Sequence, residues 1–354
     1  MKFIHMADVH LGCEPDGRSE WSKERKRELW ETFRSSVADA DRMKADLVLI
    51  AGDLFHRTPD VEQLREVNYL LGSYPDVCFA LIAGNHDCCS PGSAWESFEF
   101  APNVAFLGSS ETECIRFPSI SCEVYGFSYD RAQITESRYD RLRPGKNEYF
   151  HILLAHGGDR EHIPIDPKAL ASSGFDYIAL GHIHKPTVLI PDKAVYPGAL
   201  SPIDAGDEGP HGYIAGQTHG TQTEVHFVKK ALREYVSCTV EADEEDTVFS
   251  IRDRVQAAIA SRGPENLYKV TISGLRNPAI EYDTELIRSA GMILEVKDQS
   301  VPAFHMEELK TRYRGTLIGR YIESFEGKDL TDTEKKALRY GLEALLSDGA
   351  RRQG

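Results

Sequence analysis

Short apolar runs recur along the first two thirds of the chain, each bounded by Gly, Pro, Asp or Asn. Runs of this length with such boundaries predict β-strands. We predict strands at residues 3–7, 47–51, 77–83, 104–107, 124–127, 152–155 and 177–180. Residues 20–43 and 59–71 have the spacing of helices. Strands that alternate with helices predict an α/β layered fold.

Helices become rarer further along the chain, and the strand-like runs become shorter. Turns join predicted strands at residues 188–190, 194–196, 213–215 and 223–228. This change favours two sheets packed face to face with helices outside them, a four-layer α/β/β/α sandwich. A charged stretch at residues 229–234 follows, and we assign residues 1–230 to this first domain.

The pattern then restarts on a smaller scale. We predict a β-α-β-α-β unit, a small α/β domain over residues 235–300, with elements at residues 235–240, 248–260, 267–272, 284–289 and 292–296. Beyond Pro302, apolar residues from Phe304 to Phe325 recur mostly every fourth position, and Thr331 to Glu334 has the sequence of a capping box. We therefore expect a tail of two helices over residues 302–354, which either packs on its own domain or docks a partner.

Composition limits where this protein can act. No segment has 18 consecutive apolar residues, and the chain opens directly into a strand without the features of a signal peptide, so we expect a cytoplasmic protein that does not enter a membrane. The seven cysteines are odd in number and lack paired metal-site spacing, which fits free thiols in a reducing compartment. Redox activity of Cys88 and Cys89 is the alternative.

The formal net charge of −15 argues against tight binding to a polyanion by this chain alone, because phosphate contacts need Lys and Arg. Two divalent cations would reverse the sign of the field locally. An acidic fold that holds such ions can still attract phosphate.

Metal-binding side chains follow five of the predicted strands. Active sites of layered α/β folds lie at the carboxyl ends of strands, so we expect these donors to share one crevice. They are more numerous than one ion needs, which predicts two ions, with Asp53 bridging them. Imidazole with carboxylate and amide oxygen suits Mn²⁺, Fe or Zn²⁺, and two such ions favour phosphoester hydrolysis. The donors are Asp8, His10, Asp53, Asn85, His86, His156, His182 and His184.

The fragments Asp-x-His, Gly-Asp, Gly-Asn-His-Asp, His and Gly-His-x-His, in this order, resemble the calcineurin-like metallophosphoesterases. The resemblance implies one metal site of Asp8, His10, Asp53 and His184 and another of Asp53, Asn85, His156 and His182. It implies that His86 is a general acid rather than a ligand. Asp87 either holds the tautomer of His86 or caps a helix.

Further motifs distinguish among phosphoesterases. Asp-Arg-Gly does not follow Gly52-Asp53, and Asp87 stands where protein phosphatases have Glu, so a protein phosphatase is disfavoured. Gly-Asp-Leu-Phe-His, Gly-His-Ile-His-Lys-Pro and Tyr-Pro-Gly-Ala resemble SbcD-type DNA repair exonucleases, including the YhaO-like branch. This resemblance implies that His56 and Tyr196 face the substrate near the metals. A surface histidine and a simple turn are the alternatives.

The resemblance implies a Mn²⁺-dependent DNA exonuclease and endonuclease in DNA repair, which hydrolyses phosphodiester bonds with a hydroxide that bridges two metals. It implies a small capping domain, an SMC-like coiled-coil ATPase docked on the C-terminal helices, and a homodimer formed through helices near residues 59–71 and after Asp87. Leu64, Val67 and Leu71 would form the dimer contact or else pack on the sheet. The alternatives in function are a phosphodiesterase acting on nucleotides or other small phosphoesters, and a non-catalytic assembly subunit.

Overall fold

The computed structural model describes residues 1–17, 19–220, 222–327 and 329–351, with side chains as far as residue 346. The helices α1 to α8 are, in chain order, Ser22–Met43, Val61–Gly72, Pro167–Ala171, Val248–Arg262, Thr284–Arg288, Met306–Arg312, Leu317–Glu323 and Asp332–Arg351. No helix among the described residues is both long and apolar enough to cross a membrane.

The chain divides into two compact units, Met1–Tyr235 and Val236–Gly354. The three-part division into domains stays a prediction. The strands β1 to β16 are, in chain order, Lys2–Met6, Leu47–Ala51, Cys78–Ile82, Val104–Phe106, Glu113–Phe117, Cys122–Gly126, Phe150–His156, Tyr177–Gly181, Thr187–Ile190, Ala194–Tyr196, Gly212–His219, Gln222–Lys229, Tyr235–Ala242, Leu267–Arg276, Ile293–Asp298 and Val301–Pro302.

Two six-stranded mixed sheets form the first unit. The first has the order β12-β11-β1-β2-β3-β4, in which β1 to β4 are parallel to one another, β11 is antiparallel to β1, and β12 is antiparallel to β11. The second has the order β5-β6-β7-β8-β10-β9, with antiparallel strands at its two edges. Parallel neighbours need long crossovers, which α1 and α2 provide in the first sheet.

The alternation of apolar residues along β2 explains how the layers pack. Val48 and Ile50 contact α1 and α2 in one core, whereas Leu47, Leu49 and Ala51 contact the second sheet in another. Successive side chains of a strand point to opposite faces, so a continuous apolar run is buried on both sides. The mixed α/β class with two packed sheets is therefore as predicted.

The outer face of the second sheet is covered differently from the first. Its core contains Tyr129 from a loop, Tyr139 from a short 3₁₀ turn and Leu170 from the five-residue helix α3. The fourth layer is thus mostly loops and short turns. The sequence analysis did not predict β5, because the Glu, Cys and Arg positions of this strand break the apolar run.

The second unit contains β13 to β16, with the order β13-β14-β15 and β16 paired to β14. Ile251, Val255 and Ile259 of α4 pack in its core. The predicted two-helix tail is wrong, because α6 and α7 are separate helices. Gly315 has φ +76° between them, and the Thr316 side chain caps α7 by accepting from the Gly319 N–H. The capping box before α8 is confirmed, since the Glu334 N–H donates to Thr331 Oγ1.

The apolar residues predicted either to form a dimer contact or to pack on the sheet do the latter. Leu64, Val67 and Leu71 of α2 are fully buried against the first sheet, which is the alternative interpretation of their spacing. The homodimer itself stays a prediction.

All seven cysteines are free thiols. Cys88 packs against the outer core of the second sheet, and Cys89 packs against the core beneath α1 and α2. Because adjacent thiols that point into different cores do not face each other, the packing favours structural thiols over a redox pair.

Candidate metal centre

The predicted ligands meet at one end of the sandwich, just past the carboxyl ends of β1, β2, β3, β7 and β8. Backbone hydrogen bonds hold the loops together there. The Asp8 N–H donates to Gly52 O (3.2 Å), and the His10 N–H donates to Asp53 O (3.0 Å). The crevice expected from the strand ends is therefore present.

Several residues of this crevice have an unusual backbone. Asp8, His10 and Asp53 have φ between 50° and 52°, and His182 has φ 97°. Non-glycine residues rarely adopt positive φ, and such conformations persist where the surrounding structure enforces them, often at functional sites. These angles turn the chain sharply after the strands, so that neighbouring donors face one centre.

Two glycines allow the loops to approach closely. A Cβ on Gly84 would lie 2.2 Å from Asp53 Oδ1, and one on Gly181 would lie 1.9 Å from Ala51 O. Neither distance is possible for a real Cβ. The glycines in Gly-Asn-His-Asp and Gly-His-x-His therefore make room for the donors that follow them.

Asp53 lies at the middle of the donors. Its Oδ2 is 3.3 Å from His156 Nε2 and 4.0 Å from His10 Nε2, and its Oδ1 accepts the His86 N–H (2.9 Å). Burial alone would raise the pKa of Asp53, but the surrounding histidines outweigh it and lower that pKa. Burial likewise opposes protonation of His156, but Asp53 raises the pKa of His156 to about 9. The central carboxylate is thus ionised and needs positive charge beside it.

A first group of donors surrounds Asn85. His156 donates from Nδ1 to Ala51 O (2.8 Å), so its Nε2 presents a lone pair when the ring is neutral. That Nε2 lies 2.9 Å from Asn85 Oδ1, and His182 Nδ1 lies 3.1 Å from the same oxygen. Acceptors this close to one another need a proton or a cation between them. The arrangement fits a metal ion.

A second group contains Asp8, His10 and His184, whose ligand atoms lie within 4.8 Å of one another. His10 Nε2 and His184 Nε2 are 3.1 Å apart. The other nitrogen of His184 faces Asp207, 3.2 Å from each carboxylate oxygen. Burial opposes protonation of His184, but Asp207 and Asp8 raise its pKa to about 9. Burial dominates at His10 and lowers its pKa to about 3, so His10 presents a neutral ring suited to metal binding.

The donor set as a whole fits two divalent ions. Asp8 and Asp53 also group with His156 at metal-binding distance, which connects the first group to the second. Imidazole, carboxylate and amide oxygen are the donors that Mn²⁺, Fe and Zn²⁺ accept. The His/Asp clusters therefore match a binuclear site, with the identity of the ions left as a prediction.

Comparison with known proteins agrees with this geometry. The profile of the calcineurin-like phosphoesterase family matches residues 1–186, more than half of the chain. The chain belongs to the calcineurin-like phosphoesterase family. The family membership predicted from the five motifs is thus confirmed.

Curated relatives of this phosphoesterase include proteins named for DNA repair. It is 31% identical over 253 residues to the uncharacterized metallophosphoesterase YhaO of Bacillus subtilis, covering 64% of this chain and 59% of that protein. It is 29% identical over 234 residues to the DNA double-strand break repair protein Mre11 of Aeropyrum pernix, covering 57% and 54%. The Mre11 of Methanopyrus kandleri is 26% identical over 316 residues, covering 77% and 68%. The chain thus spans little more than half the length of the first two relatives.

His86 and His56 lie together at the edge of the phosphoesterase centre. Their rings are stacked with centroids 5.3 Å apart, and each ring is 5.0–5.4 Å from that of His10. His86 is exposed and His56 is half-buried. Both can therefore reach a molecule at the centre, and their roles as an acid and a substrate contact stay predictions.

Asp87 makes contacts that differ from both expectations. Its Oδ1 accepts the Gly84 N–H (2.7 Å), and its Oδ2 accepts the Phe55 N–H (3.0 Å). The carboxylate thus joins the loop after β3 to the loop after β2, rather than holding the His86 ring or capping a helix. Burial, followed by repulsion from Asp53, raises the pKa of Asp87 to about 7.

Tyr196 also makes a contact other than the one expected. It is only 5% exposed, and its hydroxyl donates to Gly157 O (3.0 Å). A Cβ on Gly158 would lie 2.3 Å from that hydroxyl, so the ring packs directly on the loop after β7. A substrate contact through this hydroxyl would require breaking the bond. The structure therefore places Tyr196 in support of the loop.

The sequence analysis did not identify two carboxylates that contact the proposed ligands. Asp159 Oδ2 lies 2.8 Å from His182 Nε2, and Asp207 contacts His184 as described above. Asp159 follows closely after His156 in the sequence His-Gly-Gly-Asp, and this nearness was the only available signal. Asp207 lies far from its histidine in sequence and is brought near only by folding.

Proposed function

We propose that this chain is a Mn²⁺-dependent nuclease that hydrolyses DNA phosphodiester bonds in DNA repair. The observation that supports the chemistry is the convergence of acceptor atoms around Asp53, Asn85 and His156, which needs positive charge and fits metal ions, in a member of a phosphoesterase family. The named repair relatives and the motif around His56 support DNA as the substrate.

The proposed ligand sets are those predicted from the motifs. One ion is held by Asp8, His10, Asp53 and His184, and the other by Asp53, Asn85, His156 and His182. Two divalent ions supply Lewis-acid stabilisation of a phosphodiester and a more acidic water molecule.

The remaining steps belong to side chains of this chain. His86 is exposed at the edge of the centre, where it can donate a proton from its ring to the oxygen that leaves phosphorus. Its backbone N–H fixes its position by donating to Asp53 Oδ1. His56, stacked on His86, is placed to orient the phosphate.

A small phosphodiester, such as a nucleotide ester, is the second candidate substrate. The net charge of −15 favours it, because a chain this acidic repels a long polyanion outside the metal centre. A non-catalytic assembly subunit is the third possibility, and the intact donor set argues against it.

Hydrolysis assays separate these candidates. Purified protein with Mn²⁺ should degrade end-labelled duplex DNA as well as bis-p-nitrophenyl phosphate, and Asp53→Asn should abolish both activities. Activity on the small ester alone would favour the second candidate. No activity on either substrate, with Asp53→Asn indistinguishable from the wild type, would favour an assembly subunit.

We further propose an SMC-like coiled-coil ATPase as partner, because a DNA-bound partner would compensate for the acidic surface. The C-terminal helices are the proposed docking site, and Leu317 of α7 is 70% exposed there. Deleting residues 302–354 should abolish association with the ATPase and preserve Mn²⁺-dependent hydrolysis of the small ester. Association retained in a pull-down would refute this docking site.

A further inference from the structure

Asp159 contacts a proposed metal ligand from outside the metal centre. Its Oδ2 lies 2.8 Å from His182 Nε2. Its Oδ1 accepts two backbone N–H groups, those of Glu161 and His162, each at 2.8 Å. The His162 ring nitrogen Nδ1 is 3.0 Å from both oxygens. The carboxylate is therefore held by its own loop while one oxygen faces His182.

This contact determines the tautomer of His182. Both ring nitrogens face acceptors, but the ionised carboxylate of Asp159 is closer and accepts more strongly than the neutral amide oxygen of Asn85, so the proton of the neutral His182 ring is held on Nε2. The other nitrogen, Nδ1, then presents its lone pair toward Asn85 Oδ1, 3.1 Å away. A metal can bind only at a ring nitrogen that carries no proton.

Three tyrosines hold the loop that carries Asp159. Tyr129 and Tyr139 donate their hydroxyls to His156 O at 3.0 and 3.1 Å, and Tyr196 donates to Gly157 O at 3.0 Å. Their side chains are at most 5% exposed. The backbone that leads from His156 to Asp159 is thus fixed by buried hydrogen bonds.

We propose that Asp159 is a positioning residue that selects Nδ1 of His182 as its metal-binding nitrogen. The inference deepens the proposed function, because it depends on His182 being a ligand of the binuclear centre. A carboxylate on the second ring nitrogen orients a histidine ligand and makes it more basic.

The neighbouring histidine of the same motif has the opposite arrangement. His184 faces Asp207 with Nδ1 and the metal centre with Nε2. Its Nδ1 is 3.2 Å from both oxygens of Asp207, and Asp207 Oδ2 also accepts the Ile203 N–H (3.0 Å). Gly-His-x-His thus offers two different ring nitrogens, each set by a separate carboxylate.

The two carboxylates respond differently to the same substitution. In Asp159→Asn, the backbone N–H groups of Glu161 and His162 keep the amide oxygen at the Oδ1 position, so the NH₂ group faces His182. An NH₂ group can only donate, which moves the His182 proton to Nδ1 and points it at the metal centre. In Asp207→Asn, the oxygen held by the Ile203 N–H still lies within reach of His184 Nδ1, so the tautomer of His184 is kept.

Two measurements test the proposal. ¹⁵N NMR of histidine-labelled, metal-free protein reports which nitrogen of His182 carries the proton, with His182→Gln identifying its signals. Calorimetric titration with Mn²⁺ reports the affinity of each site. Asp253→Asn, at an exposed carboxylate of the second unit, is the matched control for the substitution itself.

We expect the His182 proton on Nε2 in the wild type and on Nδ1 in Asp159→Asn. One of the two Mn²⁺ ions should bind Asp159→Asn at least about tenfold more weakly, the size of effect known for the outer partners of metal ligands. Asp207→Asn should lose less, and Asp253→Asn should bind as the wild type does.

Asp159→Ala separates tautomer selection from support of the loop. Alanine removes the bonds to Glu161 and His162 but leaves no donor facing His182. We therefore expect it to lose less Mn²⁺ affinity than Asp159→Asn, whereas a purely structural role would make alanine the more damaging change.

The proposal is overturned if wild-type His182 carries its proton on Nδ1, if Asp159→Asn keeps the wild-type tautomer, or if it binds both ions normally. Failure of the proposed function is a separate result. A wild type with the expected tautomer and two bound ions, but without activity on DNA or on small esters, would refute nuclease function and leave this assignment intact.

Discussion

Replacement of Gly84 by alanine tests whether close approach of the loops builds the metal centre. The added Cβ would lie 2.2 Å from Asp53 Oδ1 and 2.7 Å from His156 Nε2. Ordinary nonbonded contacts begin at about 3.5 Å, so these atoms must separate by about 1 Å. Both side chains are almost fully buried, and His156 is tied to Ala51 O, so neither can move freely.

The magnitude follows from that displacement. Overpacking of a rigid site costs about 1–3 kcal/mol in the free energy of unfolding, which lowers Tm by about 2–12 °C for a unit of this size. A displacement of about 1 Å in a catalytic group costs about 10²-fold in rate. We expect Gly84→Ala to lose Mn²⁺ affinity and about 10²-fold of its activity on bis-p-nitrophenyl phosphate.

Calorimetric titration with Mn²⁺, thermal melting and hydrolysis of the small ester measure these effects. Gly17→Ala is the control, because among the described residues a Cβ there meets only Glu14 O, at an ordinary 3.6 Å. A Gly84→Ala variant that binds two ions with wild-type affinity would refute the argument that this glycine makes room for the ligands.

Three further predictions concern acid stability, catalysis and loop support. Burial lowers the pKa of His5 to about 3, so the folded state binds fewer protons than the unfolded state below pH 6.5, and stability falls as pH falls. Urea unfolding of metal-free protein should show about 2 kcal/mol of this loss between pH 7 and pH 5, and His5→Asn should lack it. His86→Asn should slow DNA hydrolysis by about 10²–10⁴-fold and affect the p-nitrophenyl ester far less, because that leaving group needs no acid. Equal losses on both substrates in steady-state assays would contradict an acid role. Tyr196→Phe should cost about 1–3 kcal/mol in urea unfolding by leaving Gly157 O without its donor, with KM for DNA unchanged. A raised KM would instead indicate that the Tyr196 hydroxyl contacts the substrate.

Strands that are continuous apolar runs could be predicted closely, whereas β5, whose run polar residues interrupt, could not. β2 spans Leu47–Ala51 and β10 spans Ala194–Tyr196, as the sequence indicates. The long apparent helix after Pro302 was predicted wrongly. Apolar periodicity continues across Gly315, but a glycine at positive φ and the capping Thr316 divide it into two helices.

The metal centre likewise has features that the sequence predicts and features that it does not. Side chains directly after strands were predictable, because the carboxyl ends of neighbouring parallel strands meet at one edge. The contacts of Asp87 and Tyr196 were not, since a carboxylate or hydroxyl beside a centre can face either a ligand or a backbone group. Periodicity carries no information about that choice.

The sequence by itself determined which donors are available and where along the chain each strand delivers one. Tertiary structure decided which nitrogen of each histidine faces the centre, through Asp159 at His182 and Asp207 at His184. The physical reason is that ligand type is a property of a residue, whereas protonation and direction depend on the hydrogen-bond partner that folding brings to its other side.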